Sequence, residues 1–314
     1  MHKPSILTVG SINMDLCMYG TEGLPTIGAS TFCSGYSYAA GGKGANQAFA
    51  VSRLGAHSAL AGRVGSQDEN GKKLLQSLQI AGVDTRFVVQ DTLHPTGMSV
   101  MNILPDARYY SIYAKGANDA LTPADIEAAL DSDAFDMVLM QLEMPLETAY
   151  RCFEMAKERR IPVFLDAGPA MHIPLERFHG LFVISPNEAE AEALTGIEVS
   201  SEEGIRSAAE KLYTDAQPEY VLIKAGSRGA LLYDGNTMTW YPAFSVNAVD
   251  TTAAGDTFGA AFAVEYCKGT EIGDAIRRAH AAAAVCVTRE GGQPSIPTDE
   301  EAYAFYEEHR QEVM

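Results

Sequence analysis

The chain has few of the residues that build an extracellular scaffold. Its five cysteines are scattered, their number is odd, and no two of them form a Cys-x-x-Cys pair. Disulfide frameworks and structural zinc sites need closely spaced and usually even sets of cysteines. We therefore exclude both and expect a reducing compartment, the cytoplasm.

Positive charge is also scarce. The 314 residues include 23 Lys and Arg against 41 Asp and Glu, which gives a formal net charge of −18 at pH 7. This surplus repels phosphate backbones and anionic lipid headgroups, so we expect neither a nucleic acid nor a membrane as partner. It also repels a free nucleotide at long range, so any phosphate site must be local and metal-assisted.

Long apolar runs are missing as well. No hydrophobic stretch approaches the roughly 20 residues of a membrane-spanning helix, and the first residues contain no signal-peptide core. Hydrophobic content of 46% and charged content of 20% are typical of a globular protein. We therefore expect a cytoplasmic protein with one large core.

Buried strands and amphipathic helices alternate along most of the chain. Short connections between such elements predict an α/β fold, with a mostly parallel sheet covered by helices on both faces. Strands are predicted at 6–10, 135–141, 163–166, 181–185 and 221–225, and helices at 41–54, 71–80, 122–130, 146–159, 187–194 and 201–213.

Two segments interrupt this alternation with short β-like runs. They cover about 14–40 and 94–117, the second around a Pro105-Asp106 turn. We predict that they form a small β-sheet lid on a single domain spanning 1–314. Such an appendage serves as a lid or as a dimer surface.

The stretch at 250–259 reads Asp-Thr-Thr-Ala-Ala-Gly-Asp-Thr-Phe-Gly and leads into an apolar helical run. The small side chains of Ala253, Ala254 and Gly255 let backbone N–H groups approach a ligand, and a helix start favours an anion. Asp256 would stand beside a bound phosphate and accept the proton of an attacking hydroxyl. A plain helix start capped by Asp256 is the alternative, which this stretch alone favours.

Polar residues also follow the first predicted strand. Asn13 and Asp15 could bind a polyhydroxylated molecule or form a turn. Gly41-Gly42-Lys43-Gly44-Ala45-Asn46-Gln47 starts a helix but is neither a Walker A loop nor a dinucleotide fingerprint. We interpret its glycines as sites of close backbone approach and Asn46 as a directional contact. Lys43 either contacts an anion or is a solvated surface lysine, and the second interpretation is favoured.

Later strands end in polar residues too. Glu143 follows one strand, Asn187 and Glu190 open the helix after another, and the segment 224–229 ends a third. Individually, these fit a loop carboxylate, a helix cap and a hairpin. Together they fall at one rim of the predicted sheet, which is where open α/β sheets bind ligands.

In combination these motifs resemble the ribokinase-like (PfkB) family of carbohydrate kinases over nearly the whole chain. The two glycine-containing stretches, at 41–47 and 250–259, are the family-level signatures. The resemblance implies transfer of the γ-phosphoryl group of ATP to the 5-hydroxyl of D-ribose, giving D-ribose 5-phosphate. Further matching segments are 10–15, 140–143, 186–190, 226–229, 280–284 and 293–295.

The resemblance also implies roles for matching positions. Asp256 would be the base, beside an anion hole made by the backbone N–H groups of Ala253, Ala254, Gly255 and Asp256 itself. Lys224 departs from the threonine that ribokinase-like sequences often carry there. The sugar would be held by Asn13, Asp15, Gly42, Lys43, Asn46 and Glu143, and the nucleotide by Asn187, Lys224, Gly226, Ser227, Gly229, Gly255 and His280.

Two ions and a dimer are implied in the same way. Glu190, in an Asn-x-x-Glu pattern, would help place Mg²⁺ through water. A monovalent cation, usually K⁺, would lie beside the anion hole, held partly by main-chain carbonyls. Its matching positions are Asp250, Thr252, Cys286, Arg289, Gly291 and Ser295. Family members often pair their lids, so a homodimer through the β lid is implied.

Two alternatives stay open. Another kinase of the family would act on deoxyribose, a nucleoside or a hexose, and would share Asp256 and the anion hole. A nonenzymatic sugar or nucleotide sensor on the same fold is more distant. The intact Asp256, Gly255 and Asn187 argue against a sensor, which has no need of a base. His280, in an alanine-rich helix, reads as a packed histidine when the resemblance is set aside.

Overall fold

Two β-sheets are formed by the residues that this computed structural model describes, which are 3–21, 23–104 and 109–313. In chain order the strands are β1 Ser5–Val9, β2 Asn13–Tyr19, β3 Gly35–Gly41, β4 His57–Gly65, β5 Val88–Asp91, β6 Gly97–Ile103, β7 Tyr109–Ala114, β8 Met137–Met140, β9 Val163–Asp166, β10 Val183–Ser185, β11 Tyr220–Lys224, β12 Ala230–Tyr233 and β13 Met238–Tyr241.

The main sheet has nine strands in the order β13-β12-β11-β10-β9-β8-β1-β4-β5. The pairs from β11 to β5 are parallel, and β12 alone runs antiparallel to its two neighbours, β11 and β13. Strands β8, β9 and β10 are buried at every residue, as expected when helices cover both faces of a parallel sheet. The predicted mostly parallel α/β sheet is confirmed.

Helices cover both faces of this sheet. In chain order they are α1 Lys43–Arg53, α2 Glu69–Ile80, α3 Pro123–Ser132, α4 Leu146–Glu158, α5 Glu188–Thr195, α6 Glu202–Ala216, α7 Ala254–Cys267, α8 Ile272–Val287 and α9 Asp299–His309. On one face, helices α3 to α6 pack around Tyr150 and Phe178. On the other face, helices α1 and α7 to α9 pack around Phe164 and Phe262. Helix α2 adds Leu74 to a third cluster near β4.

None of the helices within 3–21, 23–104 and 109–313 combines the length and the apolar character needed to cross a bilayer. Their apolar residues are instead directed into the core clusters. The predicted helix boundaries agree with these elements to within a few residues. Strand β4, helix α9 and the β12–β13 hairpin are not among the elements that the sequence predicts.

The second sheet has four strands in the order β3-β2-β6-β7. It joins the two segments predicted to form a small β-sheet, and the Pro105-Asp106 turn lies outside the described residues. Strand β2 pairs antiparallel with β3 and parallel with β6. Asn118 ties this sheet to the body, because its Nδ2 donates to Asn13 Oδ1 at 2.7 Å while its Oδ1 accepts from Ile12 N at 2.9 Å.

Candidate active site

Helix α7 begins in a turn of small residues. Ala253, its N-terminal cap, has φ 62, a left-handed conformation that is costly for a residue with a Cβ. The N–H of Ala254 donates to Thr251 O at 3.2 Å. In the part of the chain that the structure describes, the N–H groups of Gly255 and Asp256 find no acceptor. These two groups and the helix dipole make the start of α7 suitable for an anion.

Asp256 lies in the first turn of α7 and is only 6% exposed. One carboxylate oxygen accepts from Asn46 Nδ2 at 2.9 Å, and the other lies 3.3 Å from Gln47 Nε2. Burial raises the pKa of Asp256 to about 6, with Lys43 opposing the rise and Asp166 adding to it. A carboxylate with a pKa close to neutrality is suited to accepting a proton from a hydroxyl.

Two lysines converge on Asp166, which is fully buried at the end of β9. Lys43 Nζ lies 3.2 Å from Asp166 Oδ2, and Lys224 Nζ bonds Asp166 Oδ1. Burial alone would raise the pKa of Asp166, but the charges of Lys224 and Lys43 outweigh it and hold that pKa below its ordinary value. Lys43 is therefore part of a buried ionic cluster, and its interpretation as a solvated surface lysine was wrong.

Asn13 and Asp15 reach the site from β2, two residues apart and on the same face of the strand. Ser99, on β6, donates its hydroxyl to Asp15 Oδ1 at 2.7 Å. Burial raises the pKa of Asp15 to about 6, the Ser99 hydrogen bond lowers it, and Glu143 adds to the rise. Glu143 accepts from the Ser11 hydroxyl and lies 3.3 Å from Lys43 N.

These groups surround a cavity of about 650 Å³ that suits a small polar molecule. Its lining includes Asp256 from α7 and, from the small sheet, Ser99, Met101 and Tyr113. The remaining lining residues are Asn13, Asp15, Gly42, Lys43, Asn46, Glu143, Asn187, Glu188, Ala189, Lys224, Gly226, Thr251, Thr252, Ala253 and Gly255.

A second, more apolar cavity of about 440 Å³ adjoins the first. Lys224, Gly226, Thr251 and Gly255 line both cavities, so the two meet at the start of α7. Its other lining residues are Ser227, Gly229, Ala243, Phe244, Ser245, Val246, Ala248, Ala254, Phe258, His280, Ala283, Ala284 and Val287.

His280 is both a packed histidine and a cavity residue. Its ring lies 4.9 Å from that of Phe258 and bonds the Tyr241 backbone. Its Nε2 is buried and has no hydrogen-bond partner within the described ranges. Burial lowers the pKa of His280 to about 4, so the ring is neutral at physiological pH.

Asn187 caps helix α5 and lines the first cavity. Its side chain accepts from Glu190 N at 2.9 Å, and Glu190 Oε2 accepts from Asn187 N at 2.7 Å in return. The cap predicted as the simpler interpretation is therefore present. The other carboxylate oxygen, Glu190 Oε1, lies next to the ionic cluster, 3.8 Å from Lys43 Nζ.

The positions that the resemblance assigns to a monovalent cation converge beside the start of α7. Asp250 joins two loops, because its oxygens accept from Thr252 N at 2.8 Å and from Gly291 N at 2.9 Å. Cys286 Sγ lies 3.1 Å from Ser295 Oγ and 3.7 Å from Thr252 O. The Arg289 side chain pairs with Glu301 on α9 at 2.8 Å, which leaves only its backbone for this cluster.

Several residues of the site were not predicted. Gln47 bonds both Asp166 and Asp256. Gln293 bonds Asn46, the amide partner of Asp256, and Ser99 bonds Asp15. Asp166 carries one signal, since it ends a buried strand at the rim where the other polar residues lie. Gln47 and Gln293 lie in the matching segments 41–47 and 293–295, but nothing there predicts their contacts, because these join residues far apart along the chain.

A polar cavity and a more apolar cavity meet at a helix start with a buried carboxylate, which is the arrangement of a small-molecule phosphotransferase. Comparison with known proteins agrees. Residues 3–299 match the family described as pfkB family carbohydrate kinase. The chain belongs to this family.

Relatives resemble the chain over nearly its whole length. It is 35% identical to a ribokinase of Haemophilus influenzae over 309 residues, covering 97% of this chain and 99% of the relative. A deoxyribokinase of Salmonella typhi is 33% identical, covering 94% and 96%. The structure of Arabidopsis thaliana ribokinase complexed with ribose and ATP superposes with a TM-score of 0.87 at 32% identity, covering 97% and 99%.

Proposed function

We propose that the protein transfers the γ-phosphoryl group of ATP to the 5-hydroxyl of D-ribose, forming D-ribose 5-phosphate and ADP. The observation that carries this proposal is the position of Asp256, which lines the polar cavity next to Gly255, where that cavity meets a more apolar one. The similarity to ribokinases, including one complexed with ribose and ATP, supports these two substrates.

Asp256 is proposed as the base. The 5-hydroxyl attacks the γ-phosphorus and the bond from that phosphorus to the bridging oxygen of ADP breaks, while the hydroxyl proton passes to Asp256. The backbone N–H groups of Gly255 and Asp256, together with the neighbouring Ala253 and Ala254, are proposed as the anion hole. Charge stabilisation there contributes most of the rate, and the base contributes about 10²–10⁴-fold.

The sugar is proposed to bind in the first cavity. Carboxylates and side-chain amides suit its hydroxyl groups because they offer both acceptors and donors in fixed positions. Closure of the small sheet over the sugar would exclude water and limit hydrolysis of ATP. The proposed sugar-binding residues are Asn13, Asp15, Gly42, Lys43, Asn46 and Glu143, all of which line that cavity.

ATP is proposed to lie in the second cavity, with its phosphates at the junction. Lys224 lines both cavities, so its ammonium group suits the transferred phosphoryl group. The neutral His280 and the apolar wall suit an adenine ring. The proposed nucleotide-binding residues are Asn187, Lys224, Gly226, Ser227, Gly229, Gly255 and His280.

Mg²⁺ bound with ATP would neutralise phosphate charge. The fit is that of a metal held largely by phosphate and water, because no group of three or more His, Cys, Asp or Glu side chains suited to a metal occurs in the residues that the structure describes. Glu190 is 4% exposed and has one oxygen directed towards the ionic cluster. We propose that Glu190 holds a magnesium-bound water.

A monovalent cation, K⁺ in the first instance, is proposed beside the anion hole. Carbonyl and carboxylate oxygens are suitable ligands for such a hard cation. Asp250 already bonds the backbone N–H groups of Thr252 and Gly291, so a cation could bind without any new contact between the loops that carry them. The proposed positions are Asp250, Thr252, Cys286, Arg289, Gly291 and Ser295, several of them through their carbonyls. Activity in KCl above that in choline chloride of equal ionic strength would support the site, and equal activities would contradict it.

A homodimer through the small sheet is proposed as well, in the cytoplasm. In the strand register Tyr36, Tyr38 and Ile112 lie on the face opposite Asp15, away from the cavity. These three side chains are 69%, 58% and 60% exposed. An apolar face of this kind marks an interaction surface. A monomeric mass in solution would contradict the dimer.

Release of ADP, measured with MgATP and a panel of sugars and nucleosides, tests the proposal. Turnover highest on D-ribose is expected. The similarity to deoxyribokinases favours deoxyribose as the second candidate acceptor, and preference for it would move the substrate while keeping the chemistry. Ligand binding without turnover on any acceptor would contradict an enzyme and favour a sensor.

A further inference from the structure

Gln47 lies between the two buried carboxylates of the site. It is fully buried on helix α1, and its Nε2 is 2.9 Å from Asp166 Oδ2 and 3.3 Å from Asp256 Oδ1. A side-chain amide carries two N–H donors on one nitrogen, so this single group can serve both acceptors. Gln47 lines neither cavity, so it contacts the base without contacting a ligand bound in them.

Gln141 fixes the direction in which this amide points. Its Nε2 donates to Gln47 Oε1 at 2.5 Å. A reversed Gln47 amide would set its oxygen against two carboxylates and its nitrogen against the Gln141 nitrogen. Gly10 provides the space, since a Cβ there would come within 1.9 Å of Gln141 Oε1. Packing thus presents both Gln47 donors to the carboxylates.

The charged groups around Asp256 come from several elements. Asp166 and Glu143 disfavour its negative charge, whereas Lys43 favours it. Lys224 bonds Asp166, Glu190 lies beside Lys43, and Asp15 faces the same cavity from β2. Gln47 is the neutral donor that separates Asp256 from Asp166, and its hydrogen bonds stabilise the ionised forms of both.

We propose that Gln47 is a positioning residue for the base, holding Asp256 ionised beside Asp166 with one oxygen directed away from the sugar's path. This inference rests on the proposed role of Asp256. Asn46 bonds the second carboxylate oxygen, so two consecutive residues of α1 hold the base. The consequence is that the first five residues of α1 set both the orientation and the protonation of Asp256.

The variant Gln47→Met tests this role, because it keeps the side-chain length and removes both donors. We expect the acidic limb of kcat/KM for D-ribose to move up by about one pH unit, the effect of losing one charge-assisted hydrogen bond, so that kcat/KM falls about tenfold at pH 5 and about twofold at pH 7. The loss should shrink above pH 8, where Asp256 is ionised in both proteins. KM for ATP should stay within about twofold of wild type, because Gln47 lines neither cavity. Gln79→Met, on the exposed end of α2, is the matched control and should behave as wild type.

A loss of equal size at every pH, or no loss, would overturn the role of Gln47. If Gln47→Met does not fold, Gln141→Met removes only the group that orients the amide, and an unshifted limb there overturns the proposal. ¹³C NMR titration of the aspartate carboxyls separates the two claims. If the wild type is inactive but the pKa of Asp256 is higher in the variant than in wild type, the result counts against the kinase proposal alone. If the pKa of Asp256 is the same in both proteins, the result counts against the role of Gln47.

Discussion

Asn46 Nδ2 donates to Asp256 Oδ2 at 2.9 Å, across 210 positions of sequence. The contact ties the first turn of α1, which lines the proposed sugar site, to the first turn of α7, where an anion would bind. The proposed base is therefore oriented by the same helix that lines the proposed sugar site. A change at the start of α1 is expected to affect the chemistry as well as the binding of sugar.

The rate should depend on the ionisation of a carboxyl group whose pKa is about 6. Burial raises the pKa of Asp256 to about 6, and the carboxylate accepts a proton only when ionised. We therefore expect kcat/KM for D-ribose to be maximal above that pH and to fall about tenfold per pH unit below it. Asp15, with a pKa also raised to about 6, would steepen the fall. A flat profile down to pH 5 would contradict the raised pKa.

Asp256→Asn should be more stable than wild type at pH 8. The folded pKa of Asp256, about 6, lies above its ordinary value of 3.8, so folding disfavours the ionised form. This penalty develops as pH rises from about 4 to about 6 and is complete above that range. Thermal unfolding should show the gain at pH 8 and no gain at pH 4. An equal gain at both pH values would point to packing.

Asp166→Asn should destabilise the fold, because it leaves two ammonium groups facing each other in a largely buried site. The loss of one partner from a buried ion pair costs about 3–5 kcal/mol, and we expect the lower end because Lys43 is 24% exposed. Asp215→Asn, which breaks the surface pair with Lys211, is the matched control. It should cost less than about 1 kcal/mol in urea unfolding. Equal costs would exclude a special role for the Asp166 cluster.

Lys224→Met should weaken catalysis with ATP, because it removes a positive charge at the junction of the two cavities. We expect kcat/KM for ATP to fall about 10–100-fold, the effect of losing one charge-assisted contact in a buried site. Lys211→Met, on the surface of α6, should retain wild-type kinetics. Unchanged kinetics in both variants would show that Lys224 serves only to neutralise Asp166.

The architecture of the body could be read from local patterns. Strand β9 was predicted at its observed bounds, and the turn before α7 was identified by its small residues and Asp256. These features depend on neighbours in sequence, since continuous apolar runs define parallel strands and small polar turns define helix starts. The sheet that joins the segments at 14–40 and 94–117 was predicted from the short β-like runs in both.

The contacts within the site could not be predicted in the same way. Lys43 reads as a surface lysine because its sequence neighbours say nothing of Asp166, which reaches it only when β9 and α1 pack together. Gln47 was missed for the same reason. The charge balance of a buried cluster depends on which side chains the fold brings within hydrogen-bond distance, and this is set by tertiary structure.

The most direct test of the account is turnover by Asp256→Asn, beside wild type and Asp215→Asn. Asparagine keeps the shape and cannot accept the proton, so we expect D-ribose and ATP to bind with unchanged affinity by calorimetry while kcat falls about 10²–10⁴-fold. Asp215→Asn should match wild type. Undiminished turnover by Asp256→Asn would contradict its role as the base and, with it, the proposed mechanism.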